Sequence, residues 1–187
     1  TGSLIAKDKE NKSSTVHLRA GHLKYIDDKI KLSKGVTIIK DENKITALQG
    51  EIDKETDKAT LNKDIILNYD EGKIKSKELI AWLNEDKYIF KNNVMLNREE
   101  SEEQKRLDLK APYLEMFLDD NSFYANQGVV IYYDNQIINA READYSGEKE
   151  ILRLTGNVLI EEEDGEWTKG EEAVMYLGSE DEELIID

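Results

Sequence analysis

The chain has 187 residues, 41 Asp plus Glu against 26 Lys plus Arg, and a formal net charge of −15. That balance disfavours a nucleic-acid partner, whose phosphates call for a basic face, and it argues against a chain lying flat on an anionic membrane. There are no cysteines, which rules out disulfides, thiol nucleophiles and Cys-ligated zinc, and no stretch approaches the roughly 20 apolar residues of a spanning helix.

In chain order, residues 1–13 are polar, lysine-rich and unpatterned, and read as a disordered tail whose Thr1-Gly2-Ser3 opening looks like a cloning scar. From residue 14 to residue 187 one pattern runs throughout, so this stretch reads as a single domain. A small residue is followed by residues of the core type three and five positions later. The six copies are Ala20/Leu23/Tyr25, Ala47/Gly50/Ile52, Ser76/Leu79/Ala81, Ala111/Leu114/Met116, Ala140/Ala143/Tyr145 and Gly170/Ala173/Met175. Each is followed by an apolar pair, such as Ile30/Leu32 or Leu152/Leu154. The first five pairs lead to β-branched anchors at Val36, Ile65, Val94, Val129 and Val158, spaced 29, 29, 35 and 29 residues apart. Self-similarity at such a period marks an array of one supersecondary unit.

Within each repeat, apolar and polar residues alternate, as in Leu152-Arg153-Leu154. A period of two means strand, not helix. The step of three after the small residue breaks that parity and implies a bulge or corner. Before the anchors stand Gly35, Asp64, Asn93, Gly128 and Asn157, all residues that tolerate the positive φ of tight turns. Each repeat then supplies about three short strands. The expectation is an all-β fold of about 15–18 short, mainly antiparallel strands from six repeats of ~29 residues. Pro112 suits an edge or bulge. The longer fourth repeat places its excess in the charged Asn97–Arg106, read as an extended loop.

The inward positions collect into an aliphatic stripe. It contains Ile38, Ile45, Leu61, Leu67, Ile74, Leu79, Phe90, Leu96, Met116, Phe123, Ile131, Leu154 and Ile160, with the small residues Ala47, Ser76, Ala111 and Ala140 among them. Small residues there either leave room along the stripe or permit close backbone approach. A β-shell of this kind could hold a long apolar ligand between its sheets. No cofactor or metal is expected: His17 and His22 fall on opposite faces, and the acidic runs 161–164 and 180–183 lack the glycine and alternating ligands of a calcium loop. No phosphate loop, nucleophile elbow or zinc-protease helix is present, so an enzyme is not expected. Trp82 and Trp167 fall at outward parity.

Leu154-Thr155-Gly156-Asn157-Val158, followed by Thr168-Lys169-Gly170-Glu171-Glu172-Ala173-Val174-Met175-Tyr176-Leu177, resembles the OstA/LptA family of lipopolysaccharide-transport proteins. Ile74-Lys75-Ser76-Lys77-Glu78-Leu79 and Ile138-Asn139-Ala140-Arg141-Glu142-Ala143 echo the same step. The resemblance implies an elongated, twisted β-jellyroll in the periplasm, open along one side, whose inner face holds the acyl chains of lipopolysaccharide or lipid A. It implies partners too: like jellyroll modules and further copies of the chain, stacked end to end to bridge inner and outer membranes. Strand-like Leu184, Ile185 and Ile186 would then serve as a pairing edge. Lys34, Lys40, Lys63, Lys91 and Lys169, near expected turns, could meet headgroup phosphates. Two rival readings remain open: a structural or adhesive β-solenoid with parallel strands, a fully packed core and no lipid, and a polysaccharide-active enzyme with carboxylates in an outer groove.

Overall fold

A computed structural model describes residues 2–7, 13–101, 104–178 and 184–186. Among them are fifteen strands and no helix, in agreement with the all-β expectation. The chain divides into two compact units, residues 1–92 and 93–187. The first holds β1 (Gly2–Lys7), β2 (Ser13–Ile26), β3 (Lys29–Lys40), β4 (Asn43–Asp53), β5 (Lys58–Tyr69) and β6 (Gly72–Trp82). Each pairs antiparallel with its neighbour in sequence. β7 (Lys87–Arg98) carries the chain from the first unit into the second.

The second unit continues with β8 (Leu107–Phe117), β9 (Ser122–Asn126), β10 (Val129–Tyr133), β11 (Gln136–Ala140), β12 (Glu142–Ser146), β13 (Ile151–Glu162), β14 (Trp167–Tyr176) and β15 (Leu184–Ile186). β8 bonds β10 along one half and β9 along the other, and β13 does the same with β11 and β12. Thus β9–β10 and β11–β12 are long strands interrupted near their middle. These pairings are antiparallel, which removes the parallel solenoid.

Part of the expected tail is strand. Gly2–Lys7 pairs with Ser13–Leu18, because the free edge of β2 offers unpaired backbone groups to any extended segment. Residues 1 and 8–12 of that expected tail lie outside the described residues.

The residues before the anchors do adopt positive φ: Gly35 82°, Asp64 53°, Asn93 58°, Gly128 96° and Asn157 52°. They are not turns between strands, however. β3 is in register with β4 up to Ser33↔Gln49 and resumes at Val36↔Ala47, so two residues, Lys34 and Gly35, face Leu48 alone. Lys34 is left-handed as well, at φ 63°. The same pairing of two left-handed residues recurs at Lys63-Asp64, Asn92-Asn93, Gln127-Gly128 and Gly156-Asn157. Two such residues swing the strand through a corner without reversing it, so the ladder continues on both sides. Each repeat in the first unit therefore contributes two long bent strands where three short ones were expected. Pro112 sits where β8 changes partner from β10 to β9, between residues paired at Lys110 and Tyr113, a break in that ladder of the kind a proline suits.

Replacing Asn157 by valine should therefore cost about 1–3 kcal/mol, since a β-branched residue is strained at φ 52°, while Asn157→Gly should be tolerated. Urea unfolding of the two variants checks this.

The small residues belong to the same corner. Ala47 faces Val36, Ser76 faces Ile65, Ala140 faces Val129 and Gly170 faces Val158. A small side chain opposite a branched one just past the bulge lets the bent strands stay in contact. Gly50 is tighter still: a Cβ there would meet the Leu61 side chain and lie 2.8 Å from the Thr60 carbonyl oxygen.

The corners fold the sheet onto itself. Strands alternate in direction, so the turn after β6 lies in the same row as the turn before β3, at the opposite end of β3 from Lys40. A flat strand of this length would hold the two rows about 40 Å apart. Yet Lys40 Nζ lies 2.6 Å from Asp86 Oδ2 in the β6–β7 turn. In the second unit, Tyr133, at the far end of β10, donates its hydroxyl to the Leu177 carbonyl at 3.4 Å. In each unit two faces of one bent sheet meet, and the core lies between them.

Candidate functional site: the inner faces and their rim

All seventeen inner-face residues singled out in the sequence are buried, at no more than 8% exposure. The first unit gathers Ile38, Ile45, Ala47, Leu61, Leu67, Ile74, Ser76, Leu79 and Phe90; the second gathers Leu96, Ala111, Met116, Phe123, Ile131, Ala140, Leu154 and Ile160. Parity explains the placement. In β3 the buried residues Ile30, Leu32, Val36 and Ile38 keep one parity across the bulge, whereas β4 buries Ile45 and Ala47 before its corner and Ile52 after it. The interior is filled by its own side chains: Leu61, Leu67, Ile74, Leu79, Phe90 and Ile131 are fully buried. An open groove of about 630 Å³ lies elsewhere, at the outer side of the first unit, lined by residues such as Lys24, Lys31, Gln49 and Asn62.

One side of each bent sheet is closed by continuous backbone at the corners. The opposite side, the rim where the two rows of strand ends meet, is closed by side chains. Rim residues recur four positions after the anchors: Lys40, Tyr69, Arg98, Tyr133 and Glu162. The Lys40 side chain is 6% exposed and bonds Asp86, which is 30% exposed. Tyr88 donates its hydroxyl to the other Asp86 oxygen at 3.3 Å. Burial pushes the Tyr88 phenol well above the usual tyrosine range, and the charges of Asp86 and Asp41 add to that. In the second unit the Arg98 guanidinium lies 5.0 Å over the Tyr145 ring, which is itself stacked on Phe123 at 5.2 Å. Gln104 donates to Glu150 at 2.9 Å across the same rim, and Gln136 donates to Glu162 at 2.7 Å. Away from the rim, at the corner of β8, burial pushes the Tyr113 phenol up to about 12, helped by its hydrogen bond to Glu115.

The rim corrects two readings. Lys40 is not a turn lysine available to a headgroup but a buried partner of Asp86, while Lys34 and Lys63 occupy bulges. Asn97 and Arg98 do not belong to the charged loop: they end β7, with Asn97 donating to Asp108 at 2.8 Å and Arg98 turned inward. Among the described residues the loop itself covers 99–101 and 104–106, outside any strand. Sequence reasoning missed Asp86, Tyr88 and Arg98 as a site. The signal for Lys40 and Arg98 was present, since the period of two continues from Ile38 to Lys40 and from Leu96 to Arg98.

The remaining candidates sit outside. Among the described residues β15 bonds β14 alone, and Ile185 is 46% exposed; Ile186 is half-buried, and the Leu184 side chain is not among the described ones. His17 and His22 are both exposed, because the bulge between Ala20 and His22 resets the parity that was expected to separate them. Trp167 is 62% exposed, and Trp82 lies on the outside between Lys58 and Lys87.

The profile of a family described as lipopolysaccharide-assembly, LptC-related, matches residues 42–163, well over half of the chain. The chain belongs to the LptC-related family. Its role is accordingly in lipopolysaccharide transport. A search of curated proteins finds no match. Among solved structures, the LptC-related chain is similar to LptH of Pseudomonas aeruginosa, described as the LptA-homologous periplasmic component of the lipopolysaccharide transport device. The TM-score is 0.51 at 7% identity, over 75% of this chain and 81% of that chain. At that identity the likeness is one of fold, and it agrees with the β-jellyroll expected for the family.

Proposed function

We propose that this LptC-related chain is a non-enzymatic periplasmic carrier that shields the acyl chains of lipopolysaccharide or lipid A against its inner faces. Its edges, β1 and β15, recruit other Lpt-type jellyroll modules or further copies of the chain by strand pairing and so help bridge the two membranes. The observation that carries the reading is the contrast between the two sides of each bent sheet. One side is continuous backbone, while the rim is held by a few side-chain contacts, among them Lys40–Asp86 and Gln104–Glu150. Separating the rim would expose an unbroken aliphatic surface, and each large residue covered by an acyl chain would gain about 1.5–3 kcal/mol relative to water.

The reading is tested by native mass spectrometry of the purified protein with lipid A. Discrete, saturable complexes are expected, lost when folded Leu154→Asp or Phe90→Asp protein is used. A correctly folded parent that forms no complex would instead leave the apolar stripe as a core and nothing more.

A further inference from the structure

Arg98 is 4% exposed, yet its Nε and Nη2 have no hydrogen-bond partner among the described residues. Proteins rarely leave such donors unmet, because an uncompensated buried charge is strongly destabilising. The ring of Tyr145 beneath it offers a cation–π contact but no oxygen or nitrogen acceptor for Nε or Nη2. Every other feature of the position is ordered: Tyr145 is 2% exposed and stacked on Phe123, which is 4% exposed. Lys40 holds the equivalent position in the first unit and has its carboxylate at 2.6 Å.

We propose that Arg98 is an anion site at the rim of the second unit, built to take the phosphate of a lipid whose acyl chains lie on the inner face. The inference rests on the carrier function proposed above and deepens it by assigning the polar end of the cargo. The chemistry fits. A guanidinium presents a planar fork that matches two phosphate oxygens, and both unmet nitrogens belong to it. The position fits as well: Arg98 is the last residue of β7, two residues beyond Leu96 on the same face. A phosphate held there at the rim leaves acyl chains to run inward past Leu96, Phe123 and Leu154. Without cargo the rim is shut and the charge sits on Tyr145; with cargo the fork is satisfied.

The test compares parent, Arg98→Met and Arg98→Lys protein in binding hexa-acylated bisphosphorylated lipid A, the same lipid after dephosphorylation, and inorganic phosphate. The parent is expected to bind the phosphorylated lipid at least about tenfold more tightly than the dephosphorylated one, the equivalent of one charge-assisted pair. Arg98→Met should lose that discrimination while binding the dephosphorylated lipid as the parent does, and Arg98→Lys should lose part of it. In the absence of lipid, Arg98→Met should melt a few degrees higher than the parent, because it removes an unsatisfied charge. A residue with only a structural role would lower it. Equal binding of both lipids by the parent, or unchanged discrimination in Arg98→Met, overturns the phosphate site and leaves the carrier standing. Inorganic phosphate competing at the lipid's own affinity overturns the assignment to lipid cargo. Binding of neither lipid overturns carrier and site together.

Discussion

Asp86→Ala should lower the unfolding free energy by about 3–5 kcal/mol, the range for removing one partner of a buried ion pair. Lys40 carries the cost. Its side chain is 6% exposed, so the ammonium left behind can neither reach water freely nor find another carboxylate at 2.6 Å. Tyr88 loses its acceptor in the same step. The reverse substitution is unequal: Lys40→Met strands only Asp86, which at 30% exposure keeps contact with solvent, and its cost should be a fraction of the first. Removing both partners should recover much of the loss. Urea unfolding of the two single variants and the double variant gives the coupling directly. An Asp86→Ala protein as stable as its parent would mean that Lys40 finds water on its own, and that the rim of the first unit is not held by this pair.

Locking that rim should weaken lipid binding by closing the inner face of the first unit to acyl chains. Lys40→Cys combined with Asp86→Cys introduces the only two thiols of the chain and strands no charge. A direct disulfide requires Cα atoms within about 7 Å, less than the full reach of a lysine and an aspartate side chain meeting end to end. A short bifunctional methanethiosulfonate is therefore the suitable link. The cross-linked protein should bind lipid A more than tenfold more weakly than the same protein after reduction, since acyl chains enter only between separated layers. Each single-cysteine variant treated with a monofunctional reagent serves as control. Full binding by the cross-linked protein would show that cargo does not enter through the rim of the first unit.

Much of this was legible in the alternation of side chains. The anchors Val36, Ile65, Val94, Val129 and Val158 and the stripe around them are buried as parity requires, because burial on a strand follows from a period of two and from little else. The left-handed residues before the anchors could be read as well, since Gly, Asn and Asp announce a positive φ wherever it occurs. What they do with it could not be read. A left-handed pair reverses a chain when the next hydrogen bonds close a hairpin and bends it when they continue the old ladder, and only the partner strand decides. Lys34 and Lys63 concealed the motif further, for lysine rarely marks such a position. The rim was hidden for another reason: Lys40 and Asp86 are 46 residues apart, and a contact made by folding a sheet over leaves no local trace. Arg98 was assigned to a charged loop by its neighbours Glu99 and Glu100, although its own parity placed it with Leu96.

The order of the strands bears on how the molecule forms. In the first unit each strand pairs with the strand that precedes or follows it, and β9–β10 and β11–β12 continue that habit in the second. Such a meander has a low contact order for an all-β protein, so little chain entropy is lost in closing each hairpin before its hydrogen bonds form. Assembly can then proceed like a zipper, one hairpin templating the next, as in repeat proteins. Each added hairpin lengthens a ladder already begun, and the core is completed when the contacts across the rim, 46 residues apart for Lys40 and Asp86, close over it.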